Sequence, residues 1–229
     1  MPKPLTIDFV SDISCPWCAI GLNALDQALA RLAHDVKGIT VEMRFQPFEL
    51  NPNMGPEGQD INAHLTEKYG ITTAQANANR ENIRARGEQV GFTFSMGGPA
   101  EGEPSQVRSR IYNTFDAHRL LHWAELVDLG QQRQLKQALF KAYFTDGQNP
   151  ASHALLVQLA AQVGLDAVRA QEILSSDAYA SAVREREQFY QSQGINAVPA
   201  VVINQRHLIS GGQPAQVFEQ ALRQIVAQD

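Results

Sequence analysis

Cys15 and Cys18 are the only cysteines in a chain of 229 residues, and Pro16 and Trp17 lie between them. Two thiols at that spacing can close a small disulfide ring when they occupy the first turn of a helix. The helix end makes them unequal. Unpaired N–H groups and the macrodipole favour an anion at Cys15, whereas Cys18 lies one turn deeper. The expected chemistry is thiol–disulfide exchange, with Cys15 as the exposed nucleophile and Cys18 as the buried resolving thiol. Attack by Cys15 on a disulfide gives a mixed disulfide, which Cys18 then breaks. In reverse, the pair oxidises a dithiol. Pro16 holds its φ and contributes no N–H donor, and Trp17 sets an aromatic surface beside the thiols. Neither is a cation.

Other uses of the pair are weaker. So small a ring constrains little of the unfolded chain, which argues against a structural disulfide. A zinc site needs about four ligands, and there is no second cysteine pair. His118 and His122 stand at i and i+4, but packing on a helix is the preferred reading for both, and no metal is expected. Arg80, Arg84, Arg86, Arg108 and Arg110 form a loose basic run that reads as a solvated face. Phe45, Phe48 and Met54 either line a groove or fill core.

Elements at both ends of the chain must position the thiols. Residues 5–11 have the length and composition of a buried strand, after which Ser14 is the expected N-cap and Pro16 sits in the first helical turn. Leu22, Leu25, Leu29 and Leu32 continue one apolar helix face. Ile39, Val41, Met43 and Phe45 alternate with polar residues, which marks a second strand closed by Pro47. Strand, helix and strand make a βαβ unit. Residues 51–58 are rich in Asn, Pro and Gly and read as a loop. Helical patterns follow at 61–69, 73–90, 106–129, 132–144, 152–163, 166–174 and 177–193, with an irregular link at 97–104. Ser152 and Asp177 are expected caps. The chain then returns to strands at 198–203 and 207–210 around an Asn204-Gln205-Arg206 turn. Gly211-Gly212 follows, and a closing amphipathic helix runs over 214–226. The pattern predicts one α/β domain with a helical insertion.

The formal charge of −5, with 44% hydrophobic and 19% charged residues, is that of an ordinary globular chain. It argues against nucleic acid and against anionic membranes as partners. No apolar run approaches the length of a spanning helix. The start, Met1 to Val10, is too short and carries Asp8, so it reads as a strand rather than a secretory signal. A cytoplasmic location is expected, where structural disulfides are rare and a Cys-x-x-Cys pair is more often catalytic or metal-binding.

The stretch from Asp8 to Cys18 resembles the first strand and active site of DsbA-like thioredoxin-fold proteins, most of all their FrnE-like cytosolic branch. Asn113 to Leu120 resembles that branch's helical signature. Residues 194–200, ending Val198-Pro199-Ala200, are similar to the cis-proline strand, and residues 211–214 to the turn before the last helix. The resemblance implies an α/β thioredoxin-like fold with a large all-helical insertion. Residues 1–61 and 194–229 would form the thioredoxin-like domain and 62–193 the insertion. It implies a protein disulfide oxidoreductase or isomerase with Cys15 and Cys18 catalytic and Pro16 and Trp17 completing the motif. Pro199 would be cis and opposite the thiols, and the Val198 backbone would pair with an extended substrate. Protein or peptide thiols are the implied partners. No cofactor is expected beyond the redox-active disulfide, with glutathione as a candidate co-substrate. The alternative is a glutathione-dependent isomerase or transferase, resembling 2-hydroxychromene-2-carboxylate isomerase and the kappa-class transferases, which usually carry Ser where this chain has Cys15. A non-enzymatic module holding unfolded segments is a third reading. Oligomeric state is not legible in the sequence.

Overall fold

Leu5, Ile7 and Phe9 face one way and Val10 the other, and this period of two builds strand β1 (Leu5–Ser11). The computed structural model describes residues 4–95 and 108–228, so the link expected at 97–104 lies outside the described residues. Pro16 opens helix α1 (Pro16–Asp35), which buries Leu22, Leu25, Leu29 and Leu32. Strand β2 (Val41–Pro47) runs parallel to β1, pairing Phe45 with Phe9. At the far end of the sequence, β5 (Ala200–Ile203) pairs antiparallel with β1, and β6 (His207–Ser210) pairs antiparallel with β5. The sheet order is therefore β2-β1-β5-β6. Asn204 and Gln205 both take positive φ, and Arg206 N–H closes the turn on Ile203 O at 3.1 Å. That geometry matches the twist of the strands it joins. Helix α9 (Ala215–Val226) packs beside α1 and buries Phe218, Leu222 and Ile225.

Between β2 and β5 the chain is mostly helical. Helices α2 (Ile61–Tyr69) and α3 (Thr73–Gln89) begin with side-chain caps from Asp60 and Thr72. The two-residue strands β3 (Gln59–Asp60) and β4 (Arg110–Ile111) pair at the root of this region. Within the described part of 106–129, the single helix expected gives way to β4 followed by α4 (Phe115–Val127). The reason is local: Asn113 Oδ1 accepts Phe115 N–H at 2.9 Å and starts the helix there. Helix α5 (Leu129–Phe140) is capped by Asp128 and ends in one π turn over Lys141–Thr145. Helices α6 (His153–Gln162) and α7 (Ala167–Leu174) follow, capped by Ser152 and Asp166. The cap expected at Asp177 is not used. Helix α8 (Ala180–Ser192) starts after Tyr179, which sits at φ +63°. The Arg119 guanidinium holds this link by donating to the carbonyls of Ile173, Ser176 and Ala178.

Three apolar groups result. The first joins one face of the sheet to α1 and α9, with Phe140, Tyr143 and Phe144 from the insertion. The second is the insertion's own core, built on Leu120, Leu135, Leu139, Leu156 and Ile173; Ile13, two residues before Cys15, is anchored in it. The third, Val10, Phe48, Tyr190, Ile195 and Ala200, covers the other face of the sheet. Phe45 and Phe48 are thus core residues, while Met54 is half-buried in the loop after β2. Among the described residues, no helix is long and apolar enough to cross a membrane.

Candidate active site

β1 ends at Ser11, and the next residues carry the chain from the sheet to the head of α1. Asp12 organises that crossing from a fully buried position. Its Oδ1 accepts Ser14 N–H at 3.1 Å, and its Oδ2 accepts the Ser14 hydroxyl at 2.9 Å and Leu50 N–H at 2.7 Å. The Ser14 hydroxyl is therefore committed to Asp12 and does not cap the helix as expected. Cys15 itself is the N-cap, extended at φ −90° and ψ 112°, with Pro16 at the first helical position.

Both cysteines are free thiols. Cys15 was expected to be exposed, but it is buried, at 4% exposure. Its Sγ stands 3.7 Å from Val198 O, with the thiol as the donor. The Val198–Pro199 peptide bond is cis. Pro199 O accepts Gly211 N–H at 2.8 Å, which sets the segment before β5 against the turn before α9. Two glycines let this assembly close on α1. A Cβ on Gly21 would lie 3.1 Å from Pro199 Cγ, and one on Gly212 would lie 2.8 Å from Trp17 O. Cys18, one turn deeper, is entirely buried. Burial pushes its thiol well above the ordinary cysteine range, and Cys15 adds to the rise, while the Lys136 charge opposes it.

Beneath the thiols lies a polar floor that the sequence reading did not assemble. His118, read as packing, is buried on α4 with Nε2 3.8 Å from Asp12 Oδ1. Burial alone would raise the Asp12 carboxyl. The facing His118 ring and the N–H groups of Leu50 and Ser14 outweigh burial and hold it at about 2. Glu49 of the loop after β2 and Glu187 of α8 both bind Arg184, and burial raises both carboxyls. Lys136 of α5 is fully buried, and burial lowers its ammonium to about 8. Asp12 and His118 lay within stretches that carry the family resemblance, while Glu49, Lys136 and Glu187 carried no signal in the sequence.

The remaining candidates have separate duties. His122 faces the Tyr179 ring at 5.5 Å rather than joining His118. Among the described residues, no cluster of three or more His, Cys, Asp or Glu side chains stands ready to hold a metal ion. The basic run disperses. Arg84 pairs with Glu81, and Arg110 donates to the carbonyls of Glu57 and Gly58. Arg108 departs from a solvated face, lying 5.0 Å from the Tyr143 and Phe144 ring centres. A cavity of about 480 Å³ lies beside the site, between the loop after β2 and α2, with Leu50, Asn51, Met54, His64 and Lys68 on its wall. Lys68 Nζ braces that loop by donating to Leu50 O at 2.6 Å and Asn51 Oδ1 at 2.7 Å. A larger cavity of about 680 Å³ lies at the opposite end of β1, by Thr6, Lys37 and Arg206, away from the thiols.

Known proteins share this fold. Residues 6–223 match the DSBA-like thioredoxin domain. The probable DsbA oxidoreductase SCO1869 from Streptomyces coelicolor is 33% identical and superposes with a TM-score of 0.84, over 98% of this chain and 91% of that one. The uncharacterized protein YwbO of Bacillus subtilis (strain 168) is 26% identical over 217 residues, 94% of each chain. The cytosolic disulfide reductase DsbM from Pseudomonas aeruginosa, solved with GSH, has the same fold at 17% identity and a TM-score of 0.61, over 97% and 99% of the two chains. With the sheet order, the insertion and the thiols at the head of α1, the chain belongs to the DSBA-like thioredoxin domain family.

Proposed function

We propose that this DsbA-like oxidoreductase exchanges disulfides with protein or peptide substrates through Cys15 and Cys18. Cys15 attacks one sulfur of a substrate disulfide and expels the other as a thiolate. Cys18 then attacks Cys15 Sγ, forming the Cys15–Cys18 disulfide and releasing the second substrate sulfur. Two electrons pass from the cysteine pair to the substrate, and a thiol donor restores the pair. The observation that carries the reading is the asymmetry of the two thiols. Cys15 is the N-cap of α1 beside the Val198 carbonyl, and Cys18 is sealed one turn below. Pro16 and Trp17 shape the turn between them, and the Val198 backbone beside Cys15 Sγ offers an extended substrate its first contact.

The finer assignment is a FrnE-like reductase or isomerase of the cytoplasm, where a reducing poise keeps the pair as a dithiol. Residues 1–61 and 194–229 form its thiol-bearing domain and 62–193 its insertion. Glutathione is the favoured small thiol, in keeping with the related DsbM solved with GSH. Reduction of insulin by the purified chain with a thiol donor tests the reading, and Cys15→Ser is expected to abolish it. Unchanged turnover in that variant eliminates the proposal. Cys18→Ala is expected to trap clients on Cys15. Mass spectrometry that found glutathione alone on Cys15 would favour small-molecule chemistry instead.

A further inference from the structure

The cavity at the far end of β1 takes no part in the thiol chemistry. β1 runs from Leu5 to Ser11, so about 20 Å of strand separates the cavity from the crossing to Cys15. Its volume of about 680 Å³ lies within the range of small-molecule sites. The floor is aliphatic. Leu5 of β1, Val36 and Ile39 of the link between α1 and β2, and Val226 at the end of α9 supply it. Three hydrogen bonds hold the wall in place. Leu5 N–H donates to Thr40 O at 2.8 Å, Thr6 N–H to Asn204 Oδ1 at 3.0 Å, and Asn204 N–H to Thr6 O at 2.9 Å. The cavity is therefore preformed, with the β5–β6 turn as one side.

The mouth carries charge of one sign. Lys37 and Arg206 both line the cavity and are exposed. Among the described residues, the lining holds no Asp or Glu, although the chain has 24 acidic residues against 19 basic ones. Other exposed arginines are answered by carboxylates: Arg31 and Arg223 by Glu219, and Arg169 by Glu172. Among the described residues, Lys37 and Arg206 have no ion-pair partner. Asp35, two residues before Lys37, is held by Arg223 and His34. The described lining also contains no aromatic ring.

We propose that this cavity binds a free medium-chain fatty acid, its aliphatic chain on the floor and its carboxylate at the mouth with Lys37 and Arg206. Burial of the chain supplies most of the affinity, because the floor offers only aliphatic surface. The two cations decide which end faces outward and which head group is accepted. A flat aromatic ligand finds no ring to stack on, and a cationic amphiphile meets two like charges. Binding is non-covalent and stabilises the folded chain by mass action. It is independent of the roles given to Cys15 and Cys18.

The probe is sodium decanoate, titrated into the full-length chain by calorimetry, with melting temperature and amide chemical shifts followed in parallel. One site is expected, with a Kd of about 100 μM or below. The melting temperature should rise with decanoate concentration. The amides of Thr6, Gly38 and Asn204 should shift, and that of Cys18 should not. Decyltrimethylammonium, with the same chain and the opposite charge, is expected to bind about tenfold more weakly or worse. The double variant Lys37→Ala/Arg206→Ala changes two exposed side chains, so it should fold and reduce insulin as the native chain does. It is expected to lose about tenfold or more in decanoate affinity, and with it the preference over decyltrimethylammonium. The proposal is overturned if decanoate does not bind at about 5 mM, or if the shifts centre on another part of the chain. Native affinity in the double variant overturns it too, as does equal binding of the two amphiphiles. Cys15→Ser should bind decanoate normally, so failure of the thiol assignment and failure of this one are read separately.

Discussion

The two sides of the Cys15–Cys18 turn are built from different materials. Toward the sheet, α1 meets Phe9, Phe45, Val201, Phe218 and Leu222, all buried and apolar. Toward the insertion lie Asp12, His118, Lys136, Glu49 and Glu187, all buried and titratable. The dry side holds the helix where it is, because close-packed side chains admit only one arrangement. The polar side sets the protonation states around the thiols, because charges act strongly where water is excluded. The insertion contributes three of these five, His118, Lys136 and Glu187, and holds a fourth, Glu49, from α8 through Arg184, so it shapes the surroundings of the thiols as well as covering the sheet.

Substitutions on each side sharpen this contrast. The largest loss is expected on the dry side. Leu25 is fully buried, and Leu25→Ala should cost about 2 to 5 kcal/mol, by an equal amount at neutral and acid pH, as read from urea unfolding midpoints. A loss that varied with pH would break the distinction. On the polar side, Asp12 titrates at about 2 in the folded chain, against about 3.9 when unfolded. Its depressed value contributes about 2 to 3 kcal/mol that is fully present above about pH 4 and disappears as the pH falls through 2. Asp12→Asn should therefore be destabilised at pH 7 and converge on the native chain in acid. Parallel acid-unfolding curves for the two would count against the assigned role. The smallest effect is expected where the two sides meet the cis-proline segment. Gly212→Ala places a Cβ against the Trp17 carbonyl, at a cost of about 1 to 3 kcal/mol in melting experiments and with slower insulin reduction. A variant with native stability and rate would mean that the turn before α9 need not touch α1.

Much of the frame was legible because it is local. The alternation in β1 and β2, the leucine spacing of α1 and the Pro199 entry to β5 each announce an element within a few residues. Where expectation and structure part, a nearby polar group has redirected the chain. Asp12 takes the Ser14 hydroxyl away from the helix end. Asn113 starts α4 at Phe115 and leaves Arg110 and Ile111 free to pair as a strand. Arg119 ties the carbonyls of the link before α8, so that helix begins after Tyr179 rather than at Asp177. Cys15 was read as exposed because helix N-termini usually meet water, and the Val198–Pro199 segment that buries it comes from more than 180 residues away.

Residue type and spacing along the chain were enough to mark the thiol pair, to set it at the start of a helix, and to place strands near both chain ends. These are statements about neighbours in sequence, and short-range geometry settles them. The polar floor is different. Lys136 occupies a helix whose pattern, Gln132 to Phe140, gives no reason to bury a lysine, and His118 reads as one more packed helix residue. Each acquires its surroundings when α4 and α5 dock on β2 and set His118 against Asp12, over a hundred residues back in the chain. Burial shifts a proton equilibrium only once the surrounding atoms are in place, and that enclosure is a property of the packed chain.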